Sequence, residues 1–195
     1  RSVGPWGSVA LTAKGLVNSH PGNGAWGLGL DLAWWRDWTF MRTGVKVADA
    51  QILHSLDSGT GNAVLSVDGL AFNDKFQPEK ITPLTLGVIA NVKGRLTGDG
   101  RIDWTPEAVR STGHFTVLNT DLAAAFGPVE GIETEIKFTD LLGMVTEPGQ
   151  IARVRSVNPG IPTYEGVIRY QLLPDQQVRI EEGRWPFYGG ELILE

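Results

Sequence analysis

The residues able to do chemistry are few and scattered. His20, His54 and His114 stand at turn-like or strand positions, with no spacing that suits a metal or a triad. Cysteine is absent, which removes disulfides, thiolate metal sites and cysteine nucleophiles. Glu181 and Glu182 are adjacent, so in an extended chain they point to opposite faces and make a poor acid–base pair. A carbohydrate-active enzyme on a β-sandwich needs two facing carboxylates. Asp31 and Asp121 are candidates, but no motif singles them out. Gly22 and Gly24 lack the strand–loop–helix setting of a phosphate loop. The expectation is no catalytic residue, no metal and no cofactor.

Two aromatic groups carry more information. Trp34-Trp35-Arg36-Asp37-Trp38-Thr39-Phe40-Met41 reads as a hairpin strand whose aromatics pack in a core, or as an exposed lip that touches lipid or another chain. The second group closes the chain, Gly183-Arg184-Trp185-Pro186-Phe187-Tyr188-Gly189-Gly190. Here the reading is architectural. Trp185 and Phe187 plug one end of an apolar face, Pro186 stops strand pairing, and Gly189-Gly190 turns the chain into its last strand.

The elements that must hold these residues are strands, because the dominant hydrophobic period is two. Trp26, Leu28, Leu30, Leu32 and Trp34 alternate with smaller or polar residues. So do Leu86, Val88, Ala90, Val92 and Leu96, and Ile132, Ile136 and Phe138. Tyr164, Ile168, Tyr170 and Leu172 repeat the pattern. About eleven short strands are expected, mostly antiparallel. Turns are expected at Asp68-Gly69 and Gly98-Asp99-Gly100, and mobile loops over 55–62 and 73–83. Helix is confined to a turn at Pro106–Arg110 and a short segment capped by Thr120-Asp121, running through Ala125.

Such a sheet has to bury its apolar face without helices. It can close as a β-sandwich, or curl into a groove whose inside stays partly open. The groove is the main expectation. Its lining would be Trp26, Leu28, Leu30, Leu86, Val88, Val92, Ile132, Ile136, Phe138, Tyr164, Ile168 and Tyr170. In a closed sandwich the same residues simply pack together.

Charge narrows the partners. There are 17 basic and 22 acidic residues, a net charge of -5 with no basic run, which argues against nucleic acid and against an electrostatic hold on anionic membrane. No apolar run is long enough to span a bilayer. Residues 1–195 read as a single β-rich domain, and as a fragment of a longer protein.

In the second half, several motifs occur in order: Phe126-Gly127-Pro128-Val129-Glu130-Gly131, Phe138-Thr139-Asp140-Leu141-Leu142, Thr146-Glu147-Pro148-Gly149-Gln150, Asn158-Pro159-Gly160-Ile161-Pro162, and the terminal aromatic motif. Over 95–195 this resembles the C-terminal region of the YdbH-like proteins, relatives of TamB and the AsmA-like group. The resemblance implies a long periplasmic protein of Gram-negative bacteria, anchored to the inner membrane. It implies a curled β-sheet whose hydrophobic groove carries phospholipid between inner and outer membranes, in outer-membrane biogenesis. An envelope lipoprotein or outer-membrane partner, or self-association through edge strands, would fit that role. The family has also carried a dicarboxylate-transport label. A dicarboxylate site needs converging Arg, Lys or helix N-termini, and no such cluster is evident. The alternatives are a structural or interaction β-domain of the envelope with no ligand, and the carbohydrate-active enzyme above.

Overall fold

The structure, a computed structural model, describes residues 14–16, 33–42, 45–81, 85, 87 and 89–194. Among the described residues twelve strands form one sheet: β1 (Lys14–Leu16), β2 (Ala33–Arg42), β3 (Val45–Ser55), β4 (Gly61–Phe72), β5 (Ile89–Trp104), β6 (Val109–Ala124), β7 (Gly127–Asp140), β8 (Val145–Thr146), β9 (Gln150–Val157), β10 (Thr163–Leu173), β11 (Gln177–Phe187) and β12 (Gly190–Leu194). Their order follows the chain, β1 to β7 and then β9 to β12, with β8 paired to β7 off this path. Every pairing is antiparallel, and the path does not close on itself. The helical turns at Pro78–Lys80 and Pro174–Gln176 are short.

Alternation sorts the side chains onto two faces. Register aligns Leu96, Val117, Thr134, Ala152, Ile168 and Gly183 in one row across six strands. A neighbouring row joins Ile132, Val154 and Gly166. On the opposite face stand Asp99, His114 and Lys137, and Glu133, Arg153, Val167 and Arg184. One face is therefore apolar and the other mostly charged, the pattern of an antiparallel sheet solvated on one side.

Two clusters cover the apolar face. The first gathers Val67, Leu70, Phe76, Phe115 and Phe138, with Leu96, Ile136 and Leu141 against them. Phe115 and Phe138 meet edge to face at 5.9 Å. The second gathers Val129, Val154, Val157 and Trp185.

Several turn and helix signals resolve into strand. Asp68-Gly69 is a bulge inside β4, where the register shifts between Val67 and Leu70. Gly98-Asp99-Gly100 lies inside β5, where the three pair with Phe115, His114 and Gly113. These glycines leave room for packing. A Cβ at Gly100 would come within 2.6 Å of Leu141 Cδ2. The Thr120–Ala125 segment is not helical. β6 runs to Ala124, and Ala123 and Ala124 pair with Pro128 and Gly127, so pairing overrides the helix propensity of alanine. Pro106–Arg110 is no helix either. Thr105 N–H donates to the Ala108 carbonyl at 2.8 Å, and β6 follows. β9 is a strand that the hydrophobic pattern did not mark.

The expected loops are held. In the 55–62 stretch, Ser55 and Thr60 are tied by a 2.8 Å backbone bond and β4 starts at Gly61. The 73–81 segment carries Phe76, only 1% exposed, and a buried Pro78. The Gln77 amide accepts from Val92 N–H at 2.8 Å and donates to the Val92 carbonyl at 2.9 Å, so it pairs with β5 as a backbone would.

The turn after β7 is clamped by Asp140. Its Oδ1 accepts from Ser111 Oγ at 2.6 Å and from Gly143 N–H at 3.1 Å, while Leu142 N–H donates to Ser111 Oγ. The Ser111 hydroxyl, then the Gly143 amide, hold the Asp140 carboxyl below its usual range. A depressed folded pKa adds stability that is full above the unfolded value of about 4 and is lost as pH falls through the folded value. Asp140→Asn should therefore be less stable than wild type at neutral pH. That deficit should shrink on acidification below about pH 4. Urea midpoints across pH check it; a deficit independent of pH would contradict the clamp.

Candidate functional site

The apolar face is the surface on which the expected lining residues can be placed. Trp26, Leu28, Leu30, Leu86 and Val88 lie outside the described residues, as does Asp31. Val92 is buried on β5 and Phe138 on β7. Ile132, Ile136 and Ile168 are half-buried, in rows shared with Val154, Phe115 and Ala152. Tyr170 is buried on β10. Its hydroxyl lies 3.0 Å from Thr134 Oγ1, and burial pushes its pKa up.

Tyr164 is placed differently, 58% exposed beside Ser156. A change of phase explains this. Asn119 on β6, Gly131 on β7 and Glu165 on β10 all have positive φ, and the in–out alternation slips there. Thr163 and Gly166 both face inward as a result, and Tyr164 between them faces out.

The face is not uniform. Toward β4–β7 it is filled by the protein itself, with Phe76 and Leu141 lying over it. Toward β11 and β12 it is open: Val178, Ile180, Leu192 and Leu194 are 57, 42, 46 and 51% exposed. Register puts Val178 with Leu172, Ile180 with Tyr170, Leu192 with Trp185 and Leu194 with Gly183, so this apolar margin continues the same face. Sequence reasoning named none of these four as lining; their alternation was visible, but their exposure follows from lying at the end of the sheet.

The terminal motif sits at that margin. Trp185 is buried, 7% exposed, and Phe187 half-buried. Pro186 does not end pairing: it lies within β11 and pairs with Glu191 of β12, beyond the last residue of β11 that is registered with β10. Its missing N–H costs little there. The turn itself is Tyr188-Gly189, both with positive φ, as a two-residue hairpin between twisted strands requires; Gly190 already belongs to β12.

The charged groups are taken up on the other face. Glu182 is held below its usual range chiefly by its hydrogen bond to Arg184. Arg184 also reaches Glu191 at 3.2 Å. Glu181 accepts from Gly149 N–H. Asp121 accepts from Gly131 N–H at 2.8 Å and lies 3.6 Å from Arg155. On that face His114 stands 3.6 Å from Glu135, whereas His54 lies in the row of Gly61 and Trp104 on the apolar face and accepts from Trp104 Nε1 at 3.1 Å. The aromatics from Trp34 to Met41 fall within β2, paired to β3.

What this arrangement can do is bind apolar matter along one face of a sheet while the other face stays in water. A protein-family model described as YdbH-like, intermembrane phospholipid transport protein YdbH, matches residues 9–195. No curated protein and no solved structure matches the chain.

Proposed function

Since the chain belongs to the YdbH-like family, a family of intermembrane phospholipid transport, we propose that its apolar face shields phospholipid acyl chains in a groove between the inner and outer membranes. The observation that carries this reading is the open apolar margin, Val178, Ile180, Leu192 and Leu194, continuous with the rows of Ile168 and Trp185. Each acyl methylene kept from water lowers the cost of passage by about 0.8 kcal/mol. Val92, Ile132, Ile136, Phe138, Ile168 and Tyr170 would share the lining. The unit would work within a longer periplasmic protein anchored to the inner membrane. β12, whose pairing among the described strands is to β11 alone, leaves an edge for an envelope lipoprotein, an outer-membrane partner or a second copy. The chemistry is transfer without bond breaking.

A second reading, a ligand-free structural β-domain, is favoured by Phe76 and Leu141, which fill part of the face from within. Native mass spectrometry of the purified protein, with lipid extraction, separates the two. Co-purified phospholipid is expected. Ile168→Asp should reduce its retention at least about tenfold, because a carboxylate would stand among acyl chains. A folded variant that keeps its lipid, or a wild type without any, favours the second reading.

A further inference from the structure

Trp185 carries a buried indole N–H with no hydrogen-bond partner, the single such side-chain atom among the described residues. The fold satisfies comparable donors elsewhere: Trp104 Nε1 donates to His54, and the Tyr170 hydroxyl meets Thr134. An unpartnered buried donor is costly, so its persistence calls for an explanation.

The site around it is built. Glycines on two strands make the slot for the ring. A Cβ at Gly183 would come within 2.6 Å of Trp185 Cη2, and any side chain at Gly166 would run into Nε1. The N–H therefore lies over β10 at Gly166, in the row that continues to Val154 and Ile132. Its surroundings are hydrocarbon: Val129, Val154 and Val157, with half-buried Ile132 and Ile168 at the border. A ligand reaching the N–H has to displace those two side chains. The cations that flank this row, Arg184, Arg153 and Arg155, stand on the opposite face; Arg184 is paired with Glu182, and Arg155 lies 3.6 Å from Asp121 and 3.8 Å from Glu130.

We propose that the Trp185 N–H donates to the acyl-ester carbonyl of the bound lipid, so that the face selects ester-linked lipid over plain hydrocarbon. This rests on the transport reading above and names the group recognised. A phosphate or free carboxylate would bring an unpaired charge into a cluster without a cation, which is expensive. An alkane offers no acceptor. A neutral ester carbonyl joined to an acyl chain satisfies the donor and leaves the chain on the isoleucines and valines.

The test compares dioleoyl phosphatidylethanolamine with its dialkyl-ether counterpart of equal chain length, each presented to the whole protein in detergent micelles. The ester lipid should bind about five- to tenfold tighter, the worth of one buried neutral hydrogen bond. Trp185→Phe should bring the two lipids level. In the proton–nitrogen spectrum, the indole resonance missing from Trp185→Phe should move with the ester lipid and stay with the ether. The ester–ether comparison needs no variant, so a poorly folded Trp185→Phe leaves it decisive. Equal binding of both lipids with an unmoved resonance overturns this inference and leaves the transport reading standing. Binding of neither lipid overturns both.

Discussion

Phe76→Ala should lower the unfolding free energy by about 3–5 kcal/mol, the cost of a large-to-small change at a buried aromatic. Phe76 is 1% exposed and sits among Val67, Leu70, Phe115 and Phe138, yet it comes from the connection between β4 and β5 and not from a strand. Its neighbours belong to separate strands that pair in the sheet with or without it, so the site collapses poorly and the loss falls at the upper end. Phe72, whose ring is stacked with it at 6.3 Å, loses its partner as well. Urea unfolding followed by tryptophan fluorescence gives the value. Gln77→Ala removes three hydrogen bonds, two to Val92 and one to the Asn73 carbonyl, and leaves the ring in place; it should cost about 1–2 kcal/mol. A Phe76→Ala loss under about 1 kcal/mol would mean that the segment does not hold its ring in the cluster.

Gly98→Val is the second large effect, about 4 kcal/mol from collision and backbone strain together. Gly98 has φ +153, and its Cβ would come within 2.6 Å of Phe115 Cδ1 and 2.7 Å of Phe115 Cα. The second is backbone of the neighbouring strand and cannot rotate away. Gly149→Val separates the two causes: φ is +77 there and nothing lies within 4 Å. It should lose about 1–2 kcal/mol from strain alone. Equal losses at the two positions would show that strain and not crowding governs Gly98.

These positions also show where sequence reading stops. Alternation from Ile132 to Phe138 and from Tyr164 to Leu172 marked β7 and β10, because a half-buried strand writes its two faces into its own residues. Gly98 and Gly100 read as a turn because glycine signals bends and close approaches alike. The reason for them, Leu141 and Phe115, lies elsewhere in the chain. β9 went unread because alanine and arginine share its alternation, and its membership comes from pairing with β7 and β10. Tyr164 carries the right chemistry, but a local change of phase turns it outward, and a residue with positive φ such as Glu165 leaves no dependable trace in a single sequence. Trp185 stood out at once. Gly183 opens the same motif, but its part with Gly166 in seating the ring is legible only once the strands are set side by side.

The strand order has a consequence for how this chain comes to be folded. Almost every strand pairs with its immediate neighbours in sequence, so the sheet assembles as a series of hairpins and needs no distant segment to arrive first. Growth can begin at any hairpin and extend by adding the next strand, as a zipper closes, and an edge strand, paired on one side, is the first to leave. Amide exchange should follow that order, slow in β5 to β7 and fast in β12, whose side chains are all exposed.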